Sequence, residues 1–452
     1  MASGEKREQG QTGNTSLSSG SQWSSPFEEV HGPGEADVYT VVSPLTIPEE
    51  APKSLYLEFK EKFADCCIDA DRLEPVKELG VGGFAVVTLC RLKKDDGSVE
   101  QVAVKRLKRD FLTSHREVAV FVAETQLLGK LCHPNIVAFE GVCAGVAGGG
   151  QGEASISLVQ ECLNHGSLKD LVLKKYMSPS SGVYSKRQGL QWLLEVARGL
   201  AYLHGLNITV IHRDLKLENI LLHQREESGP IVAKITDFGL SAMVRKPKVR
   251  GPGLNKESIN SKGLGRRVSG NLKRLGSNLM KQFSTVGEIL EAKGDPNRST
   301  GNLYKTLSLR PSKDIDTPLH NLSGRTGSLL YMAPEVILCK QYNEKVDVFS
   351  FAICMYEVLC GAWLLGKVMG STTDSRDVEK YAEKVAGGYR NPVSAFWPSE
   401  LKKLVEECWA QEANDRPAMR QVVERLQAMY DSGMFDNEED MDEEAKRCCS
   451  LQ

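Results

Sequence analysis

Short runs of hydrophobic residues, rich in β-branched side chains, follow a polar N-terminal region. Three of these runs start at Leu73, Ala85 and Val99, and the turn sequence Asp95–Ser98 separates the last two. Short apolar runs divided by turn residues are typical of an antiparallel meander. A fourth run, at 156–163, extends the predicted sheet.

Two longer segments carry apolar side chains at about 3.6-residue spacing, which predicts amphipathic helices. One covers residues 117–131, and the other begins near Gly189 and opens a mostly helical region. The most apolar stretch, Val348–Leu365, contains Glu357, so we interpret it as a buried core helix rather than a membrane span. The pattern predicts an α+β fold with a small antiparallel-sheet lobe, which has one main helix, and a larger, mostly helical lobe. A small-molecule site is expected in the cleft between the lobes.

The composition is that of an ordinary globular protein, because 41% of the 452 residues are hydrophobic and 26% are charged. The net charge is −2, so no overall positive field favours a nucleic-acid partner. The 12 cysteines show no pairs at zinc-ligand spacing, and the N-terminus lacks the apolar core of a signal peptide. We therefore expect reduced thiols and a cytoplasmic protein.

Charge is distributed unevenly along the chain. Residues 1–50 hold eight acidic and two basic residues, and we expect residues 1–70 to form a disordered N-terminal region. Residues 431–452 also hold eight acidic and two basic residues, as in a solvated tail. Residues 241–325 hold 17 basic and six acidic residues, which marks a long basic insertion. The folded domain is predicted to span 71–430.

Two weak motifs lie on the predicted strands. Gly80, Gly82 and Gly83 form a glycine-rich loop, and such loops let a backbone approach phosphates closely, although a tight hairpin turn would use the same residues. Lys105 ends the strand motif Val-Ala-Val-Lys, where it is either a solvent-facing residue or part of a charged site. Glu124, on the following helix, could neutralise it, and an ordinary surface carboxylate is the alternative.

Stronger motifs follow in the predicted helical lobe. Residues 212–219 read His-Arg-Asp-Leu-Lys-Leu-Glu-Asn, and charged groups so close to an apolar strand need partners. An Asp-Phe-Gly tripeptide begins at Asp237, and an Ala-Pro-Glu tripeptide ends at Glu335. Asn219 and Asp237 supply oxygen ligands of the kind that Mg²⁺ prefers. The order of these motifs on this lobe pattern argues against a chance match.

Taken together, the motifs resemble those of the eukaryotic protein kinases over about 73–430. The segment Cys408–Pro417, with Cys-Trp at one end and Arg-Pro at the other, is similar to that of the tyrosine-kinase-like serine/threonine group. The resemblance implies a bilobal protein-kinase fold, with an N-lobe over 71–162 and a C-lobe over 163–430. The basic insertion would lie in the activation segment, and ATP would bind in the cleft with Mg²⁺.

The resemblance also implies a role for each motif residue. The catalytic residues would be Asp214, as the base for the substrate hydroxyl, Lys216 and Asn219. Asn219 and Asp237 would hold the metal. The implied ATP-contacting residues are Leu79, Gly80, Val81, Gly82, Gly83, Val87, Ala103, Lys105, Glu124, Glu161, Leu163 and Leu221.

Further contacts are implied around these residues. Lys105 would pair with Glu124 in the active state. Asp347, in the most apolar helix, would brace the catalytic loop. Arg416 would pair with Glu335.

A serine/threonine kinase is the function that these residues favour. Lys216 is similar to the lysine that serine/threonine kinases place near the γ-phosphate, and dual specificity is left open. Ala85 replaces the usual third glycine and Ser328 the usual threonine, but no catalytic group is lost. The alternative is a catalytically weak or inactive kinase-fold scaffold that binds nucleotide or partner proteins. Protein substrates and an upstream activating kinase are the partners implied for a signalling enzyme.

The basic insertion at 241–325 makes the activation segment, from Asp237 to Glu335, 99 residues long. A solvated, disordered insert is one interpretation. The other is a basic amphipathic helix that binds calmodulin, an acidic partner or a membrane surface. Nucleic acid is not favoured, since only Phe283 and Tyr304 could stack on bases.

Two further predictions concern regulation and localisation. A phosphate on Ser323, Thr326 or Ser328 could pair with Arg213 and order the activation segment. Cys449 begins a C-terminal C-a-a-X match, although the run before it is acidic rather than polybasic. Prenylation there would attach an otherwise cytoplasmic protein to a membrane.

Overall fold

The structure, a computed structural model, describes residues 59–112, 114–146, 154–179, 182–245, 328–369 and 375–436. The predictions for residues 1–58, for the insertion after residue 245 and for the tail with Cys449 lie outside the described residues, as do Ser323 and Thr326. All the described residues belong to one unit, Val38–Gln452.

A five-stranded antiparallel sheet forms the N-lobe. Its strands are β1 (Leu73–Val81), β2 (Ala85–Lys93), β3 (Val99–Leu107), β4 (Phe139–Val146) and β5 (Ala154–Glu161). They lie in the order β1-β2-β3-β5-β4, and the first three are the predicted meander. Strand β4 was not predicted, because its neighbouring residues Val142 and Cys143 are both buried and no apolar–polar alternation marks the strand.

The main helix of the N-lobe, α2 (His115–Leu128), follows the short helix α1 (Arg109–Leu112). The prediction extended this helix to Leu131, but it ends three residues earlier, at Leu128, and is followed by Gly129, a residue that disfavours helix continuation. The residues predicted to share its apolar face are all buried, namely Val118, Phe121, Val122, Thr125, Leu128 and Leu131.

Residues 59–70 fold onto the N-lobe, although the sequence predicted disorder up to residue 70. Phe59 and Phe63 are buried in the main apolar core. The amide of Ile68 donates to the carbonyl oxygen of Val142 at 2.7 Å. The folded domain therefore begins before residue 71, because two aromatic side chains in a polar run find an apolar surface.

Helices dominate the C-lobe, so the predicted α+β architecture is confirmed. Helix α6 (Lys345–Cys360) is buried over nearly its whole length, as expected for the most apolar stretch, and it is followed by Gly361 in the left-handed conformation (φ 57°). No helix of the described residues is long and apolar enough to cross a membrane. The C-lobe helices are α3 (Leu168–Met177), α4 (Lys186–Gly205), α5 (Pro334–Ile337), α6 (Lys345–Cys360), α7 (Leu364–Met369), α8 (Ser375–Ala386), α9 (Ser399–Cys408) and α10 (Met419–Asp431).

Two short antiparallel strand pairs bring the motif residues close together. Strand β6 (Ile208–Ile211) pairs with β9 (Ala242–Arg245), and β7 (Ile220–Gln224) pairs with β8 (Ile231–Ile235). The His-Arg-Asp motif directly follows β6, and the Asp-Phe-Gly motif follows β8. Because both motifs start where a strand ends, their side chains are positioned by the strand pairs.

Candidate active site

Lys105, on β3, is the centre of a three-residue ionic cluster. Its Nζ lies 2.7 and 3.0 Å from the two carboxylate oxygens of Glu124 on α2. The same Nζ lies 3.0 Å from Oδ1 of Asp237, which follows β8. The predicted Lys105–Glu124 pair is therefore present, and Asp237 joins it from the C-lobe.

Lys105 and Asp237 keep each other ionised, whereas burial outweighs the Lys105 ammonium and raises the pKa of Glu124 above its ordinary value. Burial alone lowers the pKa of Lys105, but the carboxylates of Glu124 and Asp237 outweigh burial and raise that pKa above its ordinary value. Burial alone raises the pKa of Asp237, whereas the Lys105 ammonium lowers it below its ordinary value. Lys105 and Asp237 therefore carry opposite charges at neutral pH.

Asp214 lies in the loop after β6, where three other residues donate hydrogen bonds to its carboxylate. Lys216 Nζ donates to Oδ2 at 2.7 Å, and the side-chain amide of Asn219 donates to the same oxygen at 3.2 Å. The backbone amide and the hydroxyl of Ser328 donate to Oδ1 at 3.0 and 3.1 Å. The sequence predicted a retained hydroxyl at Ser328, but not its contact with Asp214.

The loop that carries Asp214 is fixed by Asp347 on α6. Asp347 accepts the backbone amides of His212 and Arg213 at 2.8 and 2.9 Å, and His204 Nε2 lies 2.8 Å from its Oδ2. Burial alone raises the pKa of Asp347, but the bond to His204 and the neighbouring donors lower it below its ordinary value. The predicted brace is confirmed, and it holds Arg213 at φ 67°, an uncommon conformation for a residue other than glycine.

The predicted Arg416–Glu335 pair is also present. Two parallel bonds of 2.7 and 2.8 Å join the guanidinium to the carboxylate. Arg416 is only 1% exposed, so its charge requires this partner. The pair ties the Ala-Pro-Glu motif to the core of the C-lobe.

Asn219 and Asp237 offer the oxygen atoms that the predicted Mg²⁺ needs. Asn219 donates through its side-chain nitrogen to the Asp214 carbonyl at 2.8 Å, which leaves its side-chain oxygen as an acceptor. Mg²⁺ is usually held by one or two carboxylates together with substrate phosphates, so this pair fits the ion. Among the residues described, no cluster of three or more His, Cys, Asp or Glu side chains could hold a metal.

Residues predicted to contact the nucleotide lie on both sides of the lobe boundary. Val87 is directly opposite Lys105 in the β2–β3 pair, and Ala103 shares their face because side chains alternate along a strand. Leu221 is half-buried on β7 of the C-lobe, and Leu163 is half-buried between the lobes.

The glycine-rich loop connects β1 to β2 as a hairpin. A hairpin turn and a loop that could approach phosphates are therefore the same segment. Leu79 and Val81 are exposed. None of Gly80, Gly82 and Gly83 adopts a left-handed conformation, and a methyl group added at Gly80 or Gly83 would meet no atom within 4 Å. The fold of this loop therefore does not require glycine at Gly80 or Gly83.

Glu161 is held at the connection between the lobes by a contact that the sequence did not predict. Its carboxylate accepts the amide of Ala138 at 2.5 Å and lies 2.6 and 2.8 Å from Lys234 Nζ on β8. Lys234 occupies a mixed apolar and polar strand and lies 73 residues from Glu161. Nothing in the local sequence pattern indicates that the two residues meet.

Two families of known proteins match the chain. The protein kinase domain family matches residues 73–258, and the protein tyrosine and serine/threonine kinase family matches residues 312–426. The first match contains Lys105, Asp214 and Asp237, and the second contains the Ala-Pro-Glu motif.

Individual relatives are also protein kinases. The chain is 29% identical over 331 residues to serine/threonine-protein kinase 12 of Arabidopsis thaliana, covering 73% of this chain and 52% of that protein. It is 25% identical over 380 residues to dual specificity protein kinase splA of Dictyostelium discoideum, with coverages of 81% and 12%. It is 25% identical over 375 residues to mitogen-activated protein kinase kinase kinase 7 of Homo sapiens, with coverages of 83% and 43%. The chain thus spans about half the length of these relatives or less. On its motifs, its fold and these matches, the chain belongs to the protein kinase family.

Proposed function

We propose that this protein transfers the γ-phosphoryl group of ATP to serine or threonine hydroxyls of protein substrates. The observation that supports this most is the arrangement of three groups. The Asp214 carboxylate is held by hydrogen bonds at the C-lobe loop, while Lys105 and Asp237 form an ion pair across the lobes at 3.0 Å. A scaffold that only binds partners has no need of this set.

The chain's own residues then have separate tasks. Asp214 orients the acceptor hydroxyl and takes its proton as the oxygen attacks the γ-phosphorus, while the bond to the β–γ bridging oxygen breaks and ADP leaves. Lys216 Nζ lies 2.7 Å from the Asp214 carboxylate. From this position its positive charge would stabilise negative charge on the transferred phosphoryl group. Lys105 neutralises the α- and β-phosphates. When bound between Asn219 and Asp237, Mg²⁺ would neutralise charge on the phosphate oxygens.

Serine and threonine are the acceptors that Lys216 favours, and membership of the tyrosine-kinase-like group fits the Cys408–Pro417 segment. The name of one relative, serine/threonine-protein kinase 12, supports the same acceptors, and another relative is named a dual specificity kinase. Protein substrates, an upstream activating kinase and a role in signalling belong to this proposal.

We also propose that phosphorylation of the activation segment regulates activity. The position of Ser328 helps to decide which of the three predicted phosphorylation sites would activate the protein. The Ser328 hydroxyl lies 3.1 Å from the Asp214 carboxylate and 2.9 Å from Lys216 Nζ. A phosphate there would repel Asp214 and compete for Lys216. An activating phosphate is therefore better placed on Ser323 or Thr326, and phosphorylation of Ser328 would inhibit.

Localisation rests on the sequence alone. We propose a cytoplasmic protein that becomes membrane-associated where Cys449 is prenylated, with calmodulin, an acidic partner or a membrane surface as candidates for binding the basic insertion. Mass spectrometry of the C-terminus checks the modification, and an unmodified Gln452 in cell-derived protein would exclude it.

The test of the proposed function compares the wild type with Asp237→Asn in a transfer assay with γ-labelled ATP, Mg²⁺ and a basic acceptor protein. We expect labelled phosphoserine and phosphothreonine from the wild type and a rate at least about 100-fold lower from the variant. Asp96→Asn, which changes a carboxylate in an exposed turn, is the matched control and should keep wild-type activity. Binding of nucleotide by the wild type without any transfer would instead establish the scaffold.

A further inference from the structure

Residues 59–68, called the N-terminal strap from here on, cover one side of the N-lobe. Residues 59–62 form a helical turn, and the amide of Phe63 donates to the carbonyl oxygen of Phe59 at 3.2 Å. Cys67 forms a parallel bridge with Val142 of β4, and the Ile68 amide donates to the Val142 carbonyl oxygen at 2.7 Å. The strap is thus attached to β4 by its backbone.

Aromatic side chains attach the other end of the strap to helix α2. The rings of Phe59 and Phe63 lie 4.9 Å apart, and the Phe59 ring lies 6.4 Å from that of Phe121. Phe59 is 1% exposed and Phe63 is 8% exposed. Both belong to the same apolar cluster as Val118 and Val122 of α2. Buried aromatic contacts of this kind stabilise a fixed position of the helix.

Gly141, in β4, makes room for the strap. Its φ is +151°, and a Cβ atom at this position would lie 2.7 Å from the Cys66 carbonyl oxygen and 2.8 Å from Cδ1 of Ile68. Any residue other than glycine would therefore push the strap away. The close approach indicates that β4 and the strap are fitted to each other.

The helix under the strap also carries a residue of the active site. Phe121 lies three positions before Glu124, so the two side chains occupy neighbouring positions on the helix surface. Glu124 is bonded to Lys105, and Phe121 contacts the strap. Helix α2 therefore contacts the strap and Lys105 through neighbouring positions on its surface. At its N-terminus, Ser114 makes no side-chain capping bond.

We propose that the N-terminal strap positions Glu124 for its pair with Lys105, so that Phe59 and Phe63 are positioning residues of the catalytic unit. The proposal rests on the proposed kinase function. Without the strap, α2 loses the aromatic contacts that fix its rotation and its distance from β3. Lys105 would then orient the phosphates less well, because small displacements of catalytic groups cost large factors in rate.

Single substitutions in the full-length chain test the strap. Phe59→Ala should lower kcat about 10- to 100-fold and leave the KM for the protein acceptor within about twofold, whereas Phe59→Leu should keep most of the activity. Leu426→Ala is the control, because it removes a buried side chain from α10 of the C-lobe, outside both the strap and α2. Equal losses of kcat in Phe59→Ala and Leu426→Ala would overturn the proposal.

A double variant shows whether the strap acts through Glu124. In the Glu124→Gln background, where the ion pair with Lys105 is already lost, Phe59→Ala should lower the residual rate by no more than about twofold. If the fold-losses in rate of the two single variants multiply in the double variant, the strap affects activity by another route. A purely structural role of the strap predicts this multiplication.

One glycine variant moves the strap without changing its residues, and a second glycine variant is its control. Gly141→Ala should reduce kcat about as much as Phe59→Ala does, by roughly 10-fold or more. Gly97→Ala is matched to it, because Gly97 also has a positive φ, of +82°, but no atom lies within 4 Å of an added Cβ. Wild-type activity of Gly141→Ala, or an equal loss in Gly97→Ala, would contradict the role of the strap.

Hydrogen exchange separates failure of this inference from failure of the proposed function. Amides of residues 115–128 should exchange at least about tenfold faster in Phe59→Ala than in the wild type, and at the wild-type rate in Leu426→Ala. This readout requires no phosphoryl transfer, so it tests the strap even if the wild type is inactive. Unchanged exchange in α2 would overturn the inference, whereas an inactive wild type with the expected exchange would refute only the kinase function.

Discussion

The catalytic loop and the glycine-rich loop face the same cleft but are built in opposite ways. In the catalytic loop, Asp214 is 8% exposed and its backbone neighbours are bonded to the buried Asp347. In the glycine-rich loop, Val81 is 58% exposed and Phe84 is 59% exposed. One loop is held by buried hydrogen bonds, and the other is fixed mainly by its two flanking strands.

This difference in rigidity matches the different role proposed for each loop. A group that accepts a proton and faces developing charge must be preorganised, since reorganisation during the reaction raises the barrier. A segment that covers the phosphates must instead move when nucleotide enters and leaves. Under the proposed function, the buried brace would serve the chemistry, and the exposed loop would serve binding and release of nucleotide.

The largest effect is expected from Asp347→Ala. Loss of the Asp347 carboxylate leaves the amides of His212 and Arg213 and the ring of His204 without their acceptor. The free energy of unfolding should therefore fall by about 3–5 kcal/mol. Urea denaturation measures this change. An unchanged denaturation midpoint would show that the catalytic loop does not depend on the brace.

A second carboxylate on α6, that of Glu357, should make the free energy of unfolding depend on pH. Burial raises the pKa of Glu357 to about 7, although Tyr331 and the Leu364 amide donate to it. Since the folded state holds the proton more tightly, stability should fall as the pH rises from about 4.5 to about 7, by roughly 3 kcal/mol. Glu357→Gln should remove most of this fall, as measured by urea denaturation at several pH values. Equal pH dependence in both proteins would contradict a buried, mostly neutral Glu357.

The smallest effect on stability is expected in the glycine-rich loop. Gly80→Ala and Gly83→Ala add methyl groups in open space, so the free energy of unfolding should change by no more than about 0.5 kcal/mol. If the backbone of this loop contacts phosphates, the KM for ATP should rise about fivefold, the equivalent of one lost hydrogen bond. A large loss of stability would mean that the loop is as tightly built as the catalytic loop.

Much of the site could be predicted because its chemistry is carried by short motifs. Lys105 ends the Val-Ala-Val-Lys motif, and Asp214 and Asn219 lie five residues apart, so local spacing already limits where they lie. Helix α2 followed from the spacing of its apolar face. The pairs Lys105–Glu124 and Arg416–Glu335 came from resemblance to known kinases rather than from spacing.

Contacts between distant segments could not be predicted in the same way. The strap is a largely polar run in which Phe59, Phe63 and Ile68 are buried, the two phenylalanines in the main apolar core with α2 and Ile68 in a second cluster. The Glu161–Lys234 pair joins β5 to β8, and no local pattern distinguishes Lys234 from a surface lysine. Both are tertiary effects, which local periodicity does not encode.

Single-turnover transfer by Asp214→Asn tests the central claim most directly. With Mg²⁺ and saturating ATP, nucleotide affinity measured by calorimetry should stay within about twofold of the wild type, while the rate of transfer falls at least about 100-fold. This result would separate the proton-accepting carboxylate of the rigid loop from the groups that bind nucleotide. A variant that transfers phosphate at the wild-type rate would contradict the role of Asp214 as the catalytic base.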